Sequence, residues 1–215
     1  MMSATPVADS LPEPDGPGGG EGWSSICDQA AGSCTVWTER LYPNMTGGSD
    51  VLSVGLRIDA DCASLHFTLD RPLDLALPAS LQIDGGPPHS FYTGDELTAL
   101  AGAIDDNRAP RDDRPEFTAF AAEVKDGRLA AGGPAAAELV ARFAFIKEGE
   151  RLAVSCPATR RLLAELKYGG TLSVGFYERP ERTGAPYDWP QLGRRLVEVS
   201  LKGLAAQLEA LPQLR

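Results

Sequence analysis

Leu152 to Leu211, LAVSCPATRRLLAELKYGGTLSVGFYERPERTGAPYDWPQLGRRLVEVSLKGLAAQLEAL, decides the fold: it reads as strand, helix, strand, loop, strand, helix. TLSVGFY alternates apolar and polar residues at period two, the mark of a half-buried strand. TRRLLAELK has helical spacing, and each junction carries its own punctuation. Cys156-Pro157 opens the helix, where a missing N–H does no harm because first-turn amides lack helical partners anyway. Gly169-Gly170 closes it. Ser200 is the expected N-cap of a second helix, SLKGLAAQLEAL, and Pro212 stops that helix. Leu201, Leu204, Ala205, Leu208 and Leu211 then share one face, which suits packing on a sheet.

The same alternation recurs upstream. Folded structure is expected from Trp23. Cys27 to Cys34 encloses the turn-like DQAAGS, and TVWTERLY follows as a strand with Val36 and Trp37 on opposite faces. NMTGGSD (Asn44 to Asp50) is a hairpin connection, and VLSVGLRI puts Leu52, Val54, Leu56 and Ile58 on one face. Asp59 to Ala63 turns the chain into the strand SLHFTL, in which His66 faces away from Leu65 and Phe67. RPLDLALPASLQIDGGPPHSFYT supplies two short strands around Pro78 and a tight turn at Asp84-Gly85-Gly86. From about residue 94 to 137 the character changes to short helical possibilities, a charged loop and a low-complexity run. That stretch reads as a partly helical insertion, after which LVARFAFI resumes the strand pattern. Many short strands, turn clusters and few helices specify a mainly β fold, an antiparallel sandwich in one domain over residues 23–215.

A formal charge of −10 and a pI near 4.7 argue against nucleic acid and against a polybasic contact with anionic lipid. Arg160, Arg161, Arg179, Arg182, Arg194 and Arg195 read as solvated arginines flanking a sheet. No apolar run reaches the roughly 20 residues that span a bilayer. Residues 1–22 hold four acids, no Lys or Arg, and nine Pro or Gly. They lack the basic start and apolar run of a secretory signal and read as a disordered lead-in. Four cysteines, Cys27, Cys34, Cys62 and Cys156, fit two disulfides in an oxidising compartment or four buried thiols in a reducing one. With no CxxC pair and two histidines, no zinc site is expected, and no cofactor is implied.

Catalytic constellations are sparse. No GxSxG, HExxH, Walker or GxGxxG pattern is present. His66 is a possible base, but a lone strand histidine is ordinarily no more than that. His89 and Ser90 are adjacent on a strand and point to opposite faces, so they cannot act as base and nucleophile. Asp105, Asp106, Asp112 and Asp113 could gather a hard cation, yet Arg108, Arg111 and Arg114 interleave with them and a solvated loop is the simpler reading. Trp37, Tyr42, Tyr187 and Trp189 are the candidate contact aromatics. Tyr187 and Trp189 lie in YDWP, between two strands, where a binding loop belongs.

Four blocks resemble the invasion-associated locus B family of bacterial envelope proteins. GWSSIC, with Trp23 and Cys27, is similar to the family's opening tryptophan and cysteine, and Cys34 to the cysteine that follows. LPASLQIDGG resembles its "LP…L.IDG" segment, CPATRRLLAELKYGGTLSVGFY its late cysteine, helix and strand, and VEVSLKGLAAQLEAL its terminal helix. The resemblance covers roughly residues 23–93 and 140–211. It implies an immunoglobulin-like β-sandwich, export to the periplasm or beyond, and no assigned catalytic site. Where the family has a cysteine after the "IDG…F" strand, this chain has Tyr92-Thr93, and Cys62 stands in as the partner of Cys156. The pairs expected are therefore Cys27 with Cys34 and Cys62 with Cys156. Leu204 replaces a phenylalanine of the family pattern, a mild change within a core. The expectation is a non-enzymatic envelope protein that binds a protein or glycan partner. The alternative is a hydrolase whose site lies in the 94–137 insertion.

Overall fold

A computed structural model of the chain describes residues 22–44, 47–97, 145–179 and 193–212. Two antiparallel sheets form a β-sandwich. The first has six strands in the order β1 (Ser24–Asp28), β2 (Ser33–Pro43), β3 (Ser49–Asp59), β4 (Ala63–Leu69), β8 (Arg151–Val154) and β7 (Phe145–Glu148). The second has four, β10 (Arg195–Ser200), β9 (Thr171–Phe176), β5 (Ala79–Ile83) and β6 (His89–Phe91). The period-two pattern decides which side chains meet between them. Val36, Leu52, Val54, Leu56, Leu65, Phe67 and Leu152 from one sheet meet Leu81, Leu172, Val174 and Phe176 from the other, all at most 1% exposed. Burial of this kind contributes about 1.5–3 kcal/mol per large side chain.

Helix α1 (Cys156–Tyr168) crosses from the first sheet to the second at one end of the sandwich. Its Ala158, Leu162 and Leu166 enter the core. Thr159 is fully buried but satisfied: its hydroxyl donates to Val154 O at 3.1 Å and accepts Leu65 N at 3.1 Å. At the helix's far end, Asp84 and Gly85 both have positive φ (48° and 69°) and form the tight turn between β5 and β6. The Asp84 carboxylate accepts the amides of Gly170 and Thr171 at 2.8–3.0 Å. Gly169 ends the helix with an extended φ of −73°, not a left-handed one. Glycine is needed there because a β-carbon would lie 2.6 Å from Glu165 O and 3.0 Å from an Asp84 oxygen.

The C-terminal helix is shorter than its sequence pattern. Ser200 closes β10 and does not cap α2 (Leu204–Ala210); Gly203, with φ 94°, does. The chain first extends its sheet pairing, with Leu201 N bonding Gly170 O at 3.0 Å, and only then turns. Leu201 and Leu204 are buried, while Ala205, Leu208 and Leu211 are half-buried. Before Pro78 there is likewise a loop in place of a strand, tied by a single bridge between Leu73 and Glu178.

Both expected disulfides are present, and among the described residues no cysteine is free. Cys27–Cys34 staples directly opposed residues of β1 and β2; Cys62–Cys156 ties the β3–β4 turn to the start of α1. Two such bridges suggest an oxidising, extracytoplasmic environment. No helix among the described residues is long and apolar enough to cross a membrane. Most of the 1–22 lead-in and all but the first residues of the 94–137 insertion lie outside the described residues. The insertion opens as a helix over residues 94–97, held by a capping box. Glu96 N bonds Thr93 Oγ1 at 3.2 Å and Thr93 N bonds a Glu96 carboxylate oxygen at 2.6 Å.

Candidate functional site

The helices and the Asp84 turn occupy one end of the sandwich, and the connections at the other end carry its buried charge. Alternation explains how the charge got there. Glu178 continues the phase of Leu172, Val174 and Phe176, and Asp50 precedes Leu52, Val54 and Leu56 in theirs, so both carboxylates point inward. Glu178 is 4% exposed. Tyr42 Oη donates to Glu178 Oε1 at 2.8 Å, and Arg195 Nε approaches Glu178 Oε2 at 3.4 Å. Burial, and then the neighbouring Glu178 carboxylate, push the Tyr42 phenol far above its ordinary value of 10.0, so it remains a neutral donor. Beside this network Asp50 accepts Arg71 Nε at 2.6 Å and Asn44 Nδ2 at 2.9 Å. The backbone around Glu178 is fixed as well: Asp74 N bonds Tyr177 O and Arg179 N bonds Pro72 O, each at 2.8 Å. The segments before and after residues 180–192 therefore rise from a clamped base, with Glu178 on one side and Arg195 on the other.

A second polar feature lies where β6 meets β7. Tyr92 and Ile146 form a parallel bridge that joins the edges of the two sheets. Lys147, 3% exposed, follows Phe145 in the buried phase. Its ammonium donates to Leu77 O at 3.0 Å and lies 3.4 Å from Glu96 Oε2, the carboxylate that also caps the 94–97 turn. His89 stacks on Phe145 at 5.0 Å, and Phe91 meets Phe145 and Phe67 edge-on. His89 is thus a packing residue of the seam.

On the outer face of the six-stranded sheet, Trp37, Gly55, His66, Ala153 and Ile146 stand in one cross-strand row. The His66 ring lies across Gly55, where a β-carbon would collide with Nε2 and lie 2.6 Å from Cε1. Burial, then the Arg151 guanidinium, lower its pKa below 6.5; Arg57 adds to this and a backbone hydrogen bond at Ser64 opposes it.

The candidate contact aromatics divide. Tyr42 is a correction: it is 4% exposed, edge-on to Phe176 at 5.6 Å, and belongs to the core. The inward phase of β2 places it there, opposite Asp50. Trp37 is half-buried and faces outward, opposite to Val36. Trp23 is buried, donating from Nε1 to Ser200 O at 2.9 Å. Tyr187, Trp189, Asp105, Asp106, Asp112 and Asp113 lie outside the described residues. Among the described residues no cluster of three or more His, Cys, Asp or Glu could hold a metal ion. Glu178 and Lys147 are not among the candidates that motifs in the sequence single out; a charged residue in the apolar phase of a strand is the signal that marks both. The chain matches no known family model, and neither a curated protein nor a solved structure is significantly similar to it.

Proposed function

We propose that the protein is a non-enzymatic, cell-envelope binding protein of the invasion-associated locus B type. In this reading the sandwich is a rigid frame and the loops of one end meet a protein or glycan partner in the periplasm or outside the cell. The observation that carries it is the clamped base around Glu178. A buried carboxylate held by Tyr42 and Arg195 is costly to desolvate, and it fixes both flanks of the segment bearing Tyr187 and Trp189. Ordering the frame in advance lowers the entropic cost of binding through what it carries. The two disulfides fit the same compartment.

The test joins location to binding. In the native host, alkylation before and after reduction should show no accessible thiol until reductant is added. Purified protein carrying Tyr187→Ala and Trp189→Ala should then lose partner or glycan retention at least tenfold, with the melting temperature within a few degrees of wild type. Four alkylatable thiols in the cell, or reproducible substrate turnover by pure protein, would overturn the reading.

A further inference from the structure

We propose that the free edge of β1 is a self-association strand: a second copy of this chain pairs its own β1 there, antiparallel, about a two-fold axis at Ile26. The association is independent of the binding reading above.

The edges of the sandwich differ in how they are finished. β6 and β7 close on each other, with Tyr92 N bonding Phe145 O and Lys147 N bonding Tyr92 O, each at 2.8 Å. β10 carries Arg195 and Glu198, and the Trp23 indole takes its last carbonyl, Ser200 O. Charges along an edge strand keep other chains from pairing with it. β1 has no such guard. Nothing among the described residues pairs with its free side, and Ser24, Ser25, Ile26 and Cys27 bring neither charge nor proline. The Asp28 carboxylate is turned back on the amides of Ala30 and Ala31, at 2.9 and 3.0 Å. Ile26, at the middle of the strand, is 47% exposed.

Register decides which backbone groups are on offer. Cys27 and Cys34 stand directly opposed with Cα atoms 4.0 Å apart, the close spacing of a pair that does not exchange hydrogen bonds. Bonding alternates along antiparallel strands. Ser24, Ile26 and Asp28 therefore bond to β2, and the N–H and C=O groups of Ser25 and Cys27 point away from it. The disulfide, and the Ser25 Oγ bond to Gln207 Oε1 of α2 at 2.8 Å, hold this row in place before any partner arrives.

A second copy is the strand that fits. With the axis at Ile26, Ser25 faces the partner's Cys27 and Cys27 the partner's Ser25, each pair exchanging both of its backbone bonds. Ile26 meets its own counterpart at the closely spaced central pair, which covers exposed apolar surface on both copies at once. Asp28 falls opposite Ser24, so no like charges are opposed. At physiological salt the −10 carried by each copy is screened beyond about 8 Å, and the uncharged strands govern contact. A strand pair this short makes a small interface, so the association is weak and concentration-dependent.

Sedimentation equilibrium of the full chain tests this, with amide exchange as the readout at each residue. As concentration rises toward about 1 mM, wild type should move toward twice 22.8 kDa, and exchange of the Ser25 and Cys27 amides should slow at least tenfold. Ile26→Lys and Ile26→Glu should each stay monomeric and, when dilute, melt as wild type does. Mixing these two variants should restore a dimer, because the axis sets position 26 against position 26. Ser25→Pro, which removes an outward donor, should abolish dimers while the bonds to β2 remain. A monomeric wild type overturns the proposal. So does a dimer that survives Ile26→Lys, or a mixture of folded variants that does not pair. Ser25 and Cys27 amides already slow in a monomer also overturn it, since another part of the chain would then occupy the edge.

Discussion

His66 shows what one side chain contributes beyond its contacts. Its pKa is lowered in the folded chain, first by burial and then by Arg151, while in the unfolded chain it titrates near 6.5. Below that value the unfolded state binds a proton that the folded state resists, so stability is level above about pH 6.5 and falls as pH drops through it. One such proton changes stability by at most about 1.4 kcal/mol per pH unit. The melting temperature of wild type should therefore decline between pH 7 and pH 5, and His66→Gln should flatten the decline whatever it does to the absolute value. An unchanged slope would show that the ring is not the titrating group. Asp84 makes the complementary point. It is exposed, yet the tight turn read from Asp84-Gly85-Gly86 also anchors the end of α1 through two backbone amides. The turn was legible because few residues tolerate positive φ. The second role was not, because sequence does not say which loop a carboxylate will face.

Within an element, alternation is the reliable signal. Strands β2, β3, β4 and β9 occupy the runs that period two marks out, and α1 starts at Cys156 with a proline in its first turn. Errors collect at the ends. SLKGLAAQLEAL has helical spacing throughout, but the backbone bond from Leu201 to Gly170 keeps its first residues with the sheet. Aromatic character, which says nothing of facing, makes Tyr42 a contact candidate in the sequence; its even spacing from Val36 puts it inside. Gly55 is the strand position whose identity geometry most constrains. A strand glycine ordinarily costs about 0.5–1 kcal/mol relative to alanine. Here Gly55→Ala should instead destabilise by about 1–2 kcal/mol, since its β-carbon meets the imidazole. In a His66→Ala background the same change should be neutral or stabilising. Urea unfolding of the four proteins in this cycle measures the coupling, and additive effects would mean that the ring moves aside freely.

At the scale of the whole chain, the two disulfides do unequal work. Cys27–Cys34 spans a sequence separation of 7 and Cys62–Cys156 one of 94. In the chain-entropy model, cross-links of these lengths contribute roughly 2–3 and 4–5 kcal/mol. Replacing Cys62 and Cys156 by serine should therefore lower the unfolding free energy more than replacing Cys27 and Cys34. The reverse order would mean that the hairpin staple works through the folded edge strand and not through the unfolded ensemble. The seam between the sheets has a different kind of consequence. β6 and β7 meet in parallel at Tyr92 and Ile146, so the chain leaves β6 toward the loop end and must enter β7 from the helix end. Parallel neighbours cannot be joined by a tight hairpin; they need a dozen or more residues. What reads in sequence as an inserted excursion between Tyr92 and Phe145 is in part a compulsory return road. Its course can be rewritten and its length trimmed, but a floor of roughly a dozen residues separates a shorter protein from a different topology.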